Sequence, residues 1–236
     1  MGRKFEVRKA AMMKTGAAKS KLYSKYGKEL YVAAKSNPNV DSNPTLKRLV
    51  ERAKKLQVPA HVIDKAIDKA KGAGGDDFQK SRYEGYGPGG SMIIVDCLTD
   101  NVNRTVSEVR NCFTKTESKM GVSGCVQHMF THQSIFSIKG LNEEEAFETV
   151  MMADCEVDDI ETEDDIVTIY ASNTEFFKIK TALDESDCEI ELEEITWIPQ
   201  NYVELTTDEE KARFEKFINM LEECEDVQDI YHNVEI

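Results

Sequence analysis

The stretch from Ser81 to Thr105, SRYEGYGPGGSMIIVDCLTDNVNRT, constrains the fold more than any other. Gly85, Gly87, Pro88, Gly89 and Gly90 forbid a helix there and supply a turn. Met92 to Val95 follows as an apolar, β-favouring run too short for a helix, and reads as a buried strand. Asp100, Asn101 and Asn103 are cap and turn formers, and after them Val102, Val106, Val109 and Phe113 fall at helical spacing. Loop, buried strand and capped helix in that order open an α+β domain.

This stretch also divides the chain by charge. Residues 1–80 hold 19 Lys and Arg against 8 Asp and Glu; residues 81–236 hold 11 against 36. The net charge of −14 therefore hides a basic first third. Within residues 1–40 the balance is 10 basic to 2 acidic. Binding to phosphate depends on where charge sits, so an acidic total does not exclude a nucleic-acid partner.

Residues 1–18 carry many lysines and no clean apolar period, which predicts an arm with little order of its own. From Lys19 a helix is expected, with Leu22, Tyr26, Leu30 and Ala33 on one face, ending near Asn37-Pro38. Asn43 caps a second helix that has Pro44 at its first position and an apolar stripe of Leu46, Leu49, Val50, Ala53 and Leu56. A third starts at Pro59, buries Val62, Ile63, Ala66, Ile67 and Ala70, and ends at Gly72. Three short amphipathic helices with short connections make a small bundle. Residues 72–80 read as a linker.

Beyond it come strand 91–98, helix 102–116 and strand 125–130. Strand 134–138, helix 142–153, strands 156–162 and 166–171, helix 174–185 and strand 188–197 then give β-α-β-β-α-β, the ferredoxin-like order. Strand 202–205, helix 207–223 and strand 227–234 close the chain. Asn142 with Glu145, and Thr207 with Glu210, have capping-box spacing. The first and last β-α-β pieces cannot bury a sheet separately. Joined, they make a second unit of the same kind. The expected architecture is α+β: a basic arm and helical bundle over 1–80, a discontinuous middle domain from 81–132 plus 199–236, and a ferredoxin-like domain, 133–198, inserted in it.

Several chemistries fail on spacing. Gly85-x-Gly87-x-x-Gly90 fits the dinucleotide fingerprint as text, but precedes a strand instead of following one, so a structural loop is the better reading. His128 and His132 lack further ligands at a metal-binding spacing. Asp154, Glu156, Asp158 and Asp165 sketch a calcium loop, but Asp159 stands where the EF-hand needs glycine. A solvated acidic face is expected instead. No nucleophile–base motif is visible, so no catalytic residue, cofactor or metal is assigned. Six cysteines occur singly, as reduced thiols of a cytoplasmic protein do. No apolar run reaches the roughly 18 residues of a membrane helix.

The strongest functional signal is the basic arm. Arg3, Lys4, Arg8, Lys9, Lys14, Lys19, Lys21, Lys25 and Lys28 neutralise phosphates in this reading, and Tyr23 stacks on bases. Asn101, Asn103 and Arg104, at a helix N-terminus, either add phosphate contacts or simply cap the helix.

"RYEGYGPGG", the apolar strand with "LTDNVNRT", "ERAKKLQVPAHVIDKAIDKAKG" and "DVQDIYHNVEI" together resemble the YebC/PmpR family over nearly the whole chain. The opening, MGRKFEVRKAAMMKTGAAKSKLYSKYGKELY, is closer to its YeeN-like branch. The resemblance implies the same three-domain layout, with the last residues returning to the middle domain. It also implies a DNA-binding transcriptional regulator, or, through the related mitochondrial translational activator of cytochrome oxidase, a ribosome- or RNA-associated factor. A protein-interaction scaffold is a third reading. The expected oligomeric state is monomeric.

Overall fold

The computed structural model describes residues 16–72 and 77–235. Its helices and strands, in chain order, are α1 (Gly16–Ser36), α2 (Pro44–Lys55), α3 (Ala60–Lys71), β1 (Gln79–Tyr86), β2 (Met92–Thr99), α4 (Val102–Lys115) and β3 (Lys119–Met120). Then come β4 (Phe130–Lys139), α5 (Glu143–Met152), β5 (Asp159–Glu163), β6 (Ile166–Ser172), α6 (Phe176–Asp184), β7 (Glu189–Pro199), α7 (Asp208–Glu223) and β8 (Val227–His232), and besides these the two-residue strands Val203–Glu204 and Val234–Glu235, which pair with each other. The architecture is α+β, with N-terminal helices followed by antiparallel sheets. Among the described residues, contacts divide the chain into two units. One takes the residues up to 126 together with 203–234; the other takes 127–202 and Glu235.

In the first unit, Leu22, Tyr26, Leu30, Leu46, Val50, Ile63 and Ile67 fill the core of the three helices. Asn43 links two of them: its side-chain oxygen accepts from Leu46 N (3.1 Å), while Nδ2 donates to Ala33 O (2.9 Å) and Asn37 O (2.7 Å). One buried amide thus satisfies the end of α1 and the start of α2. A separate core joins α4 and α7 to one face of the sheet, with Phe113 and Phe217 edge to face at 4.8 Å.

That sheet has the order β3-β1-β2-β8, with antiparallel pairing throughout. The route departs from the sequence expectation. Residues 79–86 form a full strand, not the end of a linker and a glycine loop, because β1 lies between β2 and β3. Gly85 permits the close approach. A Cβ there would stand 2.5 Å from Lys119 O and 2.6 Å from the Phe113 ring. Gly89, at φ 65°, makes the tight turn between β1 and β2.

In the second unit, β4-α5-β5-β6-α6-β7 forms a sheet of order β5-β6-β4-β7, the ferredoxin-like arrangement. Phe136, Ile138, Val150, Ile169, Phe176, Ile179 and Leu183 are its core. The two expected strands 125–130 and 134–138 are a 3-10 turn at Gln127–Met129 and one long strand from Phe130. The strand is continuous because β4 pairs on both sides, with β6 and β7.

Candidate nucleic-acid interface

Arg3, Lys4, Arg8, Lys9 and Lys14 lie outside the described residues. Lys19 is exposed on the first turns of α1, while Lys21 and Tyr23 are half-buried. Burial pushes the Lys21 ammonium pKa down, opposed by Glu222 and Glu223. Tyr23 packs against the helical core. Three exposed lysines escaped the sequence reading because their helices looked purely structural. They are Lys47 and Lys54, seven apart on one face of α2, and Lys65 on α3.

Lys25 and Lys28 are engaged within the protein. Lys25 Nζ lies 2.6 Å from Asp229 Oδ1 and donates to Gln228 O at 2.9 Å. Burial works against its charge, but Asp229 and Glu29 outweigh it and its pKa is raised. Lys28 Nζ lies 3.0 Å from Asp226 Oδ1 and 3.1 Å from Glu225 O. Helix α1 is thereby tied to the approach to β8 and to the strand itself.

Asp226 is the centre of this arrangement. Its side chain is 2% exposed. Its Oδ2 accepts from Arg104 Nη2 (2.8 Å), Thr105 Oγ1 (2.9 Å) and Thr99 Oγ1 (3.0 Å). Its backbone oxygen accepts from Leu98 N at 2.9 Å. Burial alone would raise the pKa of this carboxyl group. The hydrogen bonds from Arg104, Lys28, Thr105 and Thr99 prevail and bring it down to about 2. Arg104 is also 2.8 Å from Asp100 Oδ1, and these bonds raise its pKa. Asn101 Oδ1 accepts from Arg104 N at 3.1 Å, so Asn101 caps α4. The TDNVNRT string is therefore, residue by residue, largely a device that seats a carboxylate from the far end of the chain. Asn103 is exposed on the first turn of α4, and its backbone oxygen accepts from Ser107 Oγ.

The glycine-rich segment has a comparable internal role. Glu84 is buried, and its carboxylate accepts from Gly124 N (2.7 Å) and Val126 N (3.0 Å). Gly87 N donates to Ser91 O at 2.7 Å, and a Cβ on Gly89 would meet Leu205 at 2.4 Å. The loop is filled by the protein itself. Asn233, fully buried, accepts from Met92 N at 2.7 Å through Oδ1, and its backbone oxygen accepts from Val203 N at 2.7 Å. The closing string DVQDIYHNVEI supplies both Asp226 and Asn233.

His132 stacks on Trp197 with ring centroids 4.6 Å apart. Among the described residues there is no group of three or more His, Cys, Asp or Glu placed to hold a metal ion, and no helix long and apolar enough to cross a membrane.

Residues 3–73 match the model of the TACO1/YebC protein N-terminal domain, and residues 78–234 that of the TACO1/YebC second and third domain. A probable transcriptional regulatory protein of Vibrio vulnificus is 58% identical over the whole of both chains. Another, of Pseudoalteromonas atlantica, is 56% identical over 99% of this chain and 97% of its own. The crystal structure of a conserved hypothetical protein from Aquifex aeolicus superposes with a TM-score of 0.79 at 36% identity, covering 94% of this chain and 93% of that one. With both domain models matched in order from residue 3 to residue 234, and the same fold in a solved relative, the chain belongs to the TACO1/YebC family.

Proposed function

We propose that this protein is a nucleic-acid-binding regulator of gene expression, a DNA-binding transcriptional regulator, holding a phosphate backbone with its basic N-terminal segment. The observation that carries the reading is the separation of charge. Residues 1–40 have 10 basic and 2 acidic side chains; residues 127–202 have 3 and 20. A phosphate polymer is drawn to the first region and repelled by the second. The names of the relatives, probable transcriptional regulatory proteins, support the regulatory part.

The contacts are assigned to Arg3, Lys4, Arg8, Lys9, Lys14, Lys19 and Lys21, with Tyr23 beside them and the exposed Lys47, Lys54 and Lys65 as additions. Lys25, Lys28 and Arg104 rank below these, because each neutralises a carboxylate of its own chain.

A salt titration tests this. If about six side chains meet phosphates, log K falls against log salt with a slope near −5 on duplex DNA and near −4 on single strands. Replacing Arg8, Lys9, Lys19 and Lys21 with Ala flattens the slope by about 3 to 4 on duplex DNA. An unchanged slope on duplex DNA, structured RNA and whole ribosomes removes the arm from the interface. A loss confined to ribosomes moves the site of action from transcription to translation.

A further inference from the structure

The unit of residues 127–202 exposes large apolar side chains among acidic ones. Helix α5 buries Ala146 and Val150 in its own core, yet carries Phe147 and Met151 outward, four residues apart and each about half exposed. Met152, 86% exposed, extends this face. Phe177, 50% exposed, stands on the first turn of α6. That turn and the end of α5 are neighbours, since Lys178 Nζ donates to Asp154 O at 3.4 Å. Beside Phe147 runs an open groove of about 500 Å³, with Val157 and Ile160 as apolar wall and Glu143, Glu144 and Asp158 as rim.

Phe147, Met151, Met152 and Phe177 leave half or more of their surface to solvent, although Phe177 also meets the core residue Phe176 edge to face. Grouped exposed apolar side chains rimmed by charge mark interaction sites in soluble proteins. The flexible thioethers of Met151 and Met152 suit a surface that adapts to its ligand. The chemistry of the occupant follows from the rim. Glu144, Glu148, Asp154 and Asp158 are exposed around the face, and the unit as a whole has 20 acidic and 3 basic side chains. This charge repels nucleic acid and also a second copy of the same face. It attracts a cationic polypeptide whose own apolar stripe covers the phenylalanines.

We propose that this face of α5 and α6 is a docking surface for a basic amphipathic helix of a partner protein. The geometry is that of helix-in-groove recognition: apolar anchors at i and i+3 or i+4 on the ligand, with lysine or arginine flanks meeting the acidic rim. The inference is independent of the basic arm. It gives the protein two recognition surfaces of opposite sign, one for phosphates and one for cationic protein.

The test uses the full chain and two labelled 18-residue peptides of identical Lys and Leu composition. One has leucine at helical period; the other is scrambled to lose the stripe. Fluorescence anisotropy reads binding. The periodic peptide is expected to bind at least about tenfold more tightly than the scrambled one, the scale of one good apolar anchor. In the variant Phe147→Ser, Met151→Ser, Phe177→Ser that preference disappears while the thermal melt is kept. If that variant fails to fold, Glu144→Gln with Glu148→Gln provides the second reading, with periodic-peptide binding weakened several-fold at low salt. Equal binding of the two peptides overturns the proposal, as does full affinity in either folded variant. So does concentration-dependent self-association in sedimentation that the serine variant abolishes, since the occupant is then another copy of the chain.

Discussion

The two four-stranded sheets have comparable strand orders but are assembled by different routes. The sheet of residues 130–199 is contiguous: each strand is joined to the next by a hairpin or one helix. The other takes β3, β1 and β2 from residues 79–120 and its last strand from residues 227–232. Its third ferredoxin-like position is filled by β1, which precedes the strand it lies beside. The contiguous sheet has buried polar ties of its own, such as Ser137 with Thr168 and Lys180 with Glu193, but they join segments close in sequence. The divided sheet is held at its seam by buried polar groups: Asp226 between Thr99, Arg104 and Lys28, and Asn233 on the Met92 amide. Apolar surface is indifferent to which strand covers it, whereas a buried carboxylate with four donors accepts only one register. Segments that meet after a long detour need that discrimination more than neighbours in sequence do.

Removal of the returning segment tests this contrast most severely. A chain ending at Asn201 lacks β8 and α7, and with them Phe214, Phe217, Leu221 and Ile230 of the first unit's core. Its β1–β2 amides are expected to lose hydrogen-exchange protection altogether, while those of β4 and β6 keep theirs. Equal loss in both sheets would show that the contiguous one does not stand on its own.

Asp226→Asn comes next. It leaves Lys28 and Arg104 facing a neutral group, and breaking one partner of a buried pair costs about 3–5 kcal/mol. Denaturant titration at neutral pH reads this directly. The acid limb sharpens it. The folded carboxyl has a pKa of about 2, below its ordinary value of 3.8. Its stabilisation of about 2–3 kcal/mol is therefore fully present above pH ~4 and lost as pH falls through 2. The native protein should lose stability across that interval, and Asp226→Asn should show a flatter profile there.

Glu84→Gln is a milder break in the same sheet. The amide keeps one acceptor for two backbone donors, Gly124 N and Val126 N, and the expected cost is about 1–3 kcal/mol. The smallest effects should be the same in both units, because caps are local. Thr207→Ala on α7 and Asn142→Ala on α5 each remove one side of a capping box, and each should cost about 1 kcal/mol. A much larger cost at Thr207 would mean that α7 is more than locally tied to its sheet.

These caps were legible in the sequence, as were the α-helices of the described residues, apart from the first starting at Gly16 instead of Lys19, because both depend on residues within four positions of each other. Strand β1 was not. QKSRYEGY alternates poorly, and its glycines look like turn residues until a neighbouring strand and Phe113 are seen to occupy their missing side chains. For the candidate interface the limit is the same. Lys25 and Lys28 are indistinguishable from Lys19 along α1. Only the return of Asp226 and Asp229, some two hundred residues later, separates engaged cations from available ones. The apolar outer face of α5 lies outside the sequence reading, which takes 142–153 only as a helix with a capping box.

The late arrival of β8 has a consequence for the nascent chain. At about 5–20 residues per second, the ~130 residues between the end of β2 and β8 occupy the ribosome for roughly 6–25 seconds. For that time the outer edge of β2, with Ile93, Val95 and Cys97, has no strand to pair with, and Lys28 and Arg104 have no Asp226. An open apolar edge is a site for wrong pairing. The first unit can therefore complete its four-stranded sheet only after Val227–His232 has left the ribosome.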